Sequence, residues 1–198
     1  MSGNADRVYS IIKQNKGFVT TSQITDAGIP RRVLSELIDE GRIYRAARGI
    51  YALPEAWEDE MYFLQYRFSK GIFSNETALY LHDMTDRTPH TYTLTFPHGY
   101  NATGLKTQNA KAKFATQDIY GLGIIEMPSP AGNIIRVYDV ERTLCDIVKG
   151  TNNCDIGVVN NAMKLYATAK TKDIGKLIDY ARRLRVKPKI QTYMKVLL

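Results

Sequence analysis

The sequence predicts an α+β chain in two parts: a helical head closed by a basic hairpin, then a mixed body in which a small β-sheet precedes a helical tail. Three observations carry that prediction. Apolar residues recur at helical spacing in short segments within residues 1–53. β-branched and aromatic residues cluster between 91 and 138, and helical spacing returns after Asp139. The length of 198 residues, with 44% hydrophobic and 24% charged, suits a globular protein that can bury a core without disulfides or metal. That composition excludes disordered, collagen-like and coiled-coil chains. Apolar runs as short as Leu122–Ile125 exclude a membrane-spanning helix.

The head reads element by element. Asn4–Asn15 places Val8, Ile11 and Ile12 on one helical face, with Asp6 in the first turn where the helix dipole favours an acid. Lys16-Gly17 ends that helix, and Lys13 and Lys16 read as solvated. Residues 17–20 form a short extended piece. Thr21-Ser-Gln-Ile24 then offers a hydroxyl cap to a second, short helix. After the turn at Gly28, Pro30 suits the first position of a third helix, Pro30–Glu40. Val33, Leu34, Leu37 and Ile38 share one side of it, and Arg31, Arg32, Ser35, Glu36 and Asp39 share the other. Beyond Gly41, Ile43-Tyr44 and Ile50-Tyr51 flank a hairpin tip, Arg45-Ala-Ala-Arg-Gly49.

Helix, helix, basic-tipped helix and basic hairpin is the order of a winged helix-turn-helix. A recognition helix enters the major groove N-terminal end first, so bases at the start of the third helix suit DNA docking. Arg31, Arg32 and Ser35 are expected to reach base edges and flanking phosphates. Thr21 and Ser22 are expected to meet phosphate through hydroxyl and backbone N–H groups. Arg45 and Arg48 are assigned to phosphate or the minor groove.

Residues 1–53 form the expected DNA-binding domain, 54–60 an acidic boundary (Pro54 followed by Glu55-Ala-Trp-Glu-Asp-Glu60), and 61–198 a C-terminal domain. In that domain Met61–Phe68 and Ala78–His82 read as helices, with Ser74-Asn-Glu-Thr77 before the second. Thr91–Phe96, Lys113–Thr116, Leu122–Met127 and Ile134–Tyr138 read as strands. Asp139 caps a helix that carries Val140, Leu144, Ile147 and Val148, and Asp155–Ala169, Thr171–Leu184 and Pro188–Leu198 complete the helical tail.

The charge balance, 27 basic against 20 acidic residues, favours polyanionic partners. Nine of the bases and only two of the acids fall between Lys170 and Leu198. Arg182, Arg183, Arg185, Lys187 and Lys189 there form a candidate second DNA surface, with a solvated face as the alternative. No catalytic set is visible. Asp118 and Glu126 invite a metal-dependent nuclease reading, but Pro128 occupies the position where a lysine would be needed. No phosphate-binding loop or nucleophile elbow is present. Asp139, Glu141 and Asp146 read as a cap and surface charges paired with Arg142. Cys145 and Cys154 read as buried thiols and His82, His90 and His98 as turn or surface residues, so no metal or cofactor is expected. Met1-Ser-Gly-Asn-Ala-Asp6 lacks a signal-peptide pattern, and a cytoplasmic protein is expected. A protein-interaction module without DNA binding stays open beside the DNA-binding reading.

Several segments resemble the AbiEi-type antitoxins. They are Gly17-Phe-Val-Thr-Thr21 leading to Gly28-Ile-Pro-Arg31, the wing Arg45-Ala-Ala-Arg-Gly-Ile-Tyr51, Phe73-Ser-Asn-Glu-Thr-Ala-Leu79, and Val140-Glu-Arg-Thr-Leu-Cys-Asp146. The resemblance implies a type IV toxin–antitoxin system acting in abortive infection against phage. It implies an antitoxin that counters a nucleotidyltransferase-like toxin without a stable complex. It further implies repression of its own operon by binding inverted repeats in promoter DNA, with self-association and bending. The DNA-contacting role carries over to Arg31, Arg32, Arg45 and Arg48; no neutralisation residue carries over.

Overall fold

In the computed structural model, residues 2–56, 58–152 and 154–197 are described. They divide into two compact units: one runs up to Arg67 and takes in Pro128–Ile134, and the other holds Phe68–Met127 and everything from Ile135 on. Pro128 and Ile134, end residues of two strands of the second unit, are thus counted with the first. The acidic segment 54–60 therefore lies inside the first unit; its Trp57 lies outside the described residues. Asp59 in that segment is buried, not solvated. It accepts from the Tyr62 backbone N–H at 2.9 Å, from Ser129 Oγ and from Asn133 Nδ2 at 2.9 Å, which ties the 128–134 turn to this unit.

The first unit runs α1 (Ser2–Gln14), β1 (Phe18–Thr20), α2 (Thr21–Asp26), α3 (Arg32–Asp39), β2 (Tyr44–Ala47), β3 (Ile50–Ala52) and α4 (Glu60–Arg67). Its antiparallel sheet has the order β1-β3-β2, with Phe18 opposite Ala52 and Tyr44 opposite the same Ala52 on the other edge. The element order, three helices followed by a hairpin, is the one read from the sequence. Val8 and Ile12 of α1, Val19, Ile24 and Ile29, Val33, Leu34 and Leu37 of α3, and Ile43 make one buried cluster. Each such side chain contributes about 1.5–3 kcal/mol on burial. The three helices are held by this cluster, because none is long enough to be stable alone.

Two boundaries differ from the sequence expectation. The cap of α2 is Thr20, not Thr21: Thr20 Oγ1 accepts from the Gln23 N–H, and the Gln23 side chain accepts from the Thr20 N–H at 2.8 Å. The capping box selects Thr20 because Gln stands three residues after it. Helix α3 begins at Arg32, two residues after Pro30, with Arg31 as its N-cap.

The second unit contains β4 (Ile72–Phe73), α5 (Asn75–Leu81), β5 (Tyr92–Pro97), β6 (Ala110–Ala115), α6 (Gln117–Tyr120), β7 (Ile124–Pro128), β8 (Ile134–Tyr138), α7 (Val140–Ile147), α8 (Ile156–Thr168), α9 (Ile174–Arg183) and α10 (Lys187–Leu197). The expected last helix ended at Leu198, which lies outside the described residues. The sheet order is β6-β5-β4-β8-β7. β5 pairs parallel to β6 over six residues, whereas β4 joins β5 antiparallel and β8 parallel through one or two residues each. The two-residue β4 and the one-turn α6 carry no periodicity that a sequence reading can use. Leu144, Cys145 and Ile147 of α7 pack in one core with residues of α8, α9 and α10, including Val159, Met163, Leu177 and Ile190.

Candidate nucleic-acid interface

Helix α3 presents its apolar residues inward and leaves Arg32, Ser35, Glu36 and Asp39 exposed. Its start is electrostatically unusual. The N-terminal end of a helix carries partial positive charge, which favours acids or a side-chain cap. Here the cap is Arg31, with no side-chain cap hydrogen bond, and the first helical residue is Arg32; no acid occupies the first turn. Arg31 Nε and Nη2 donate to Thr25 Oγ1 at 3.2 and 3.1 Å, which fixes this arginine against α2. Arg32 pairs with no acid among the described residues.

The hairpin is tighter than the sequence suggested. β2 reaches Ala47, so the connection to β3 is the two-residue turn Arg48-Gly49, with Gly49 at φ +81°. A side chain at Gly49 would be strained and would also approach Thr21 Oγ1 at 3.3 Å. Arg48 stands at the tip. Arg45, expected at the tip, instead lies on β2 opposite Tyr51, next to the register shift between Arg45 and Ala47. Both arginines are exposed, and neither pairs with an acid among the described residues.

Thr21 departs from its expected role. Its N–H and its hydroxyl both donate to the Gly49 carbonyl, at 2.9 and 3.1 Å, so no donor of Thr21 is left for a phosphate. It fastens α2 to the hairpin turn instead. Ser22 is exposed and its Oγ donates to Asp26 Oδ2 at 3.3 Å. Arg42, one of the hairpin-flanking bases, is engaged within the unit: it pairs with Glu40 at 3.2 Å and lies over the Tyr9 ring at 4.5 Å. Thr25, which anchors Arg31, was not anticipated, since nothing in the local pattern links residues six apart across a turn.

In the second unit, three of the five candidate bases are tied to their own fold. Arg182 pairs with Asp179 at 3.3 Å, Arg183 donates to the Asp118 carbonyl at 3.4 Å, and Lys189 donates to the Val148 carbonyl at 3.0 Å. Arg185 is exposed in a left-handed conformation (φ +59°), and Lys187 is half-buried.

The carboxylates of α7 are not the surface charges they read as. Asp139 caps the helix through the Arg142 N–H at 2.8 Å, and Lys176 Nζ bridges it to Glu141 at 3.0 and 3.2 Å. Tyr166 adds a hydrogen bond to Glu141 at 3.1 Å. Burial opposes the Lys176 charge, but the hydrogen bonds and charges of Asp139 and Glu141 outweigh that and raise its pKa. Asp118 and Glu126 are exposed on separate elements, α6 and β7. Among the described residues no three of His, Cys, Asp and Glu converge on a metal position. Cys145 is buried and Cys154 half-buried, both free thiols, and burial first of all pushes each up to about 12. His82 donates from Nε2 to the Tyr138 carbonyl at 2.8 Å at the end of α5, while His90 and His98 are exposed. No helix among the described residues is long and apolar enough to cross a membrane.

Residues 6–54 match a protein family described as a transcriptional regulator, AbiEi antitoxin. The matched segment starts within α1 and stops just after β3. Over 98% of this chain and 82% of its own length, the RV2827C protein from Mycobacterium tuberculosis has a similar fold, with a TM-score of 0.57 and 15% sequence identity. That likeness supports the α+β architecture. No curated protein matches the chain.

Proposed function

We propose, from the premise that residues 6–54 form a transcriptional-regulator domain of the AbiEi antitoxin family, that the chain is an autorepressing antitoxin whose first unit binds promoter DNA as a winged helix-turn-helix. One observation carries the DNA part. Two arginines crowd the positive end of α3 with neither an acid nor a side-chain cap bond to offset them. A like charge there costs about 0.3–1 kcal/mol of helix stability, which an approaching polyanion reverses.

In this reading Arg32 and Ser35 face base edges in the major groove, and an arginine reads guanine through O6 and N7. Arg31, braced by Thr25, holds a flanking phosphate. Arg48 at the wing tip and Arg45 beside it reach phosphate or the minor groove. Arg185 and Lys187 are the remaining bases for a second surface. The operator is a pair of inverted repeats, which two copies occupy together.

The second unit serves toxin antagonism. The toxin is a nucleotidyltransferase-like enzyme countered without a stable complex, in a type IV system directed against phage, and the chain works in the cytoplasm. A reporter fused to the chain's own upstream DNA tests the regulatory part. Wild type silences it, and R31A/R32A and R45A/R48A release it while still rescuing growth from the co-expressed toxin. Silencing that survives both double variants would leave the winged helix as a protein-contact module.

A further inference from the structure

The second unit holds a polar cavity of about 400 Å³ that the regulatory reading does not use. Asn75 of α5, Thr95 of β5, Lys113 of β6, Arg142 and Asp146 of α7, and Lys149 just after it line the cavity. The register explains why β5 and β6 contribute together: Thr95 and Lys113 are direct partners in the parallel ladder and so face the same side of the sheet.

Two features are out of keeping with a mere packing defect. Asn75 is only 7% exposed, yet its Oδ1 meets no donor among the described residues. Its Nδ2 donates to Ser74 Oγ at 3.2 Å; that hydroxyl also accepts from Thr95 Oγ1 at 2.9 Å and points its own proton at the Thr93 carbonyl at 3.5 Å, so it has none to give to Asn75 Oδ1. Asn75 also holds φ +54° although it begins a helix, and left-handed strain at a buried polar residue recurs at binding sites. The second feature is charge. Arg142, Lys113 and Lys149 surround a single carboxylate, Asp146, which Arg142 Nε already engages at 3.0 Å. The lining thus carries two positive charges in excess, one from each half-buried lysine.

We infer that this cavity binds a phosphate monoester, its phosphoryl group between Lys113 and Lys149 and a hydroxyl or amino group of its organic part donating to Asn75 Oδ1. A phosphate monoester near neutral pH carries close to two negative charges, which match the excess. A carboxylate leaves one lysine uncompensated. The volume exceeds what a phosphate ion fills and suits a sugar phosphate or a mononucleotide. Lys113 Nζ lies 3.5 Å from the Thr151 carbonyl, a weak tether that leaves it free to turn to a ligand.

The test is calorimetric titration of the full chain at physiological salt with AMP, ribose 5-phosphate, inorganic phosphate and adenosine. The esters saturate a single site at least tenfold more tightly than inorganic phosphate, and adenosine does not bind. AMP binding more tightly than ribose 5-phosphate identifies a nucleotide; equal affinities identify the sugar phosphate as sufficient. K113A/K149A weakens ester binding at least tenfold with an unchanged melting temperature. Asn75→Gly keeps the left-handed backbone and brings the esters down to the level of inorganic phosphate. R31A/R32A binds the esters as wild type does, which separates this site from the DNA surface. Failure of every probe to saturate, equal binding of adenosine and AMP, or undiminished binding by K113A/K149A would overturn the proposal.

Discussion

Arg32 and Arg142 both stand in the first turn of an eight-residue helix, α3 and α7, and their surroundings could hardly differ more. Arg142 is 2% exposed. It donates to Asp146 Oδ2 at 3.0 Å and to the carbonyls of Ile119 and Leu122, and it lies over the Tyr138 ring at 4.2 Å. Asp139 caps the same helix. Arg32 has no such company: its helix starts from an arginine without a side-chain cap bond. The dipole penalises a cation at either place, and only α7 carries the acids that offset it. One arginine is therefore a structural element of its own unit, and the other is exposed and pairs with no acid among the described residues.

The largest effect that separates them is on stability. Arg142→Ala strands a buried carboxylate and two buried carbonyls, and costs about 3–5 kcal/mol in urea unfolding. The double change Arg142→Met with Asp146→Leu is expected to be milder, since it removes both charges and leaves only the Ile119 and Leu122 carbonyls without their donor. Arg32→Ala relieves part of that dipole penalty and so does not lower stability, and instead costs about 1–3 kcal/mol in operator binding, with relaxed preference at one base position. Arg32→Glu sharpens the contrast: it abolishes binding while raising the stability of the first unit by about 0.3–1 kcal/mol, read as a shifted urea midpoint. Arg48→Ala weakens binding to all sequences alike and makes the slope of log K against log salt shallower by about one.

The smallest effect is chemical. Burial pushes the Cys145 thiol of α7 up to about 12, so it stays protonated throughout the physiological range. Alkylation of Cys145 at pH 8 is expected only after unfolding, and rapid labelling at that residue in the folded chain would mean that α7 opens readily.

The same contrast explains what could be read from sequence. Helix α3 was legible because its information is local: Val33, Leu34 and Leu37 at helical spacing and two adjacent arginines. Even there Pro30 misled by two residues, since the helix begins at Arg32. Arg45 moved from turn to strand because β2 runs on to Ala47 through an irregular register. Thr21 looked like a phosphate ligand, but its donors are taken by Gly49, 28 residues away in the chain.

Helix α7 was legible as a helix with Asp139 as its cap, but not as a buried charge network. Its partners, Ile119, Leu122, Tyr166 and Lys176, lie 20 or more residues from those they contact. Nor does sequence spacing announce the lysine-lined cavity, which four separate elements assemble. Burial of charge is a property of tertiary contacts, and no local period encodes it.

The central claim is that uncompensated arginines in the first unit read promoter DNA. Its most direct test is binding of the full chain to its own upstream DNA and to a scrambled duplex across a salt series, with wild type, R31A/R32A and R45A/R48A in parallel. The account predicts tight, promoter-selective binding by wild type. Selectivity disappears in R31A/R32A, and R45A/R48A shows lower affinity and a shallower salt slope. Equal, weak and salt-sensitive binding of all three proteins to both duplexes would contradict it.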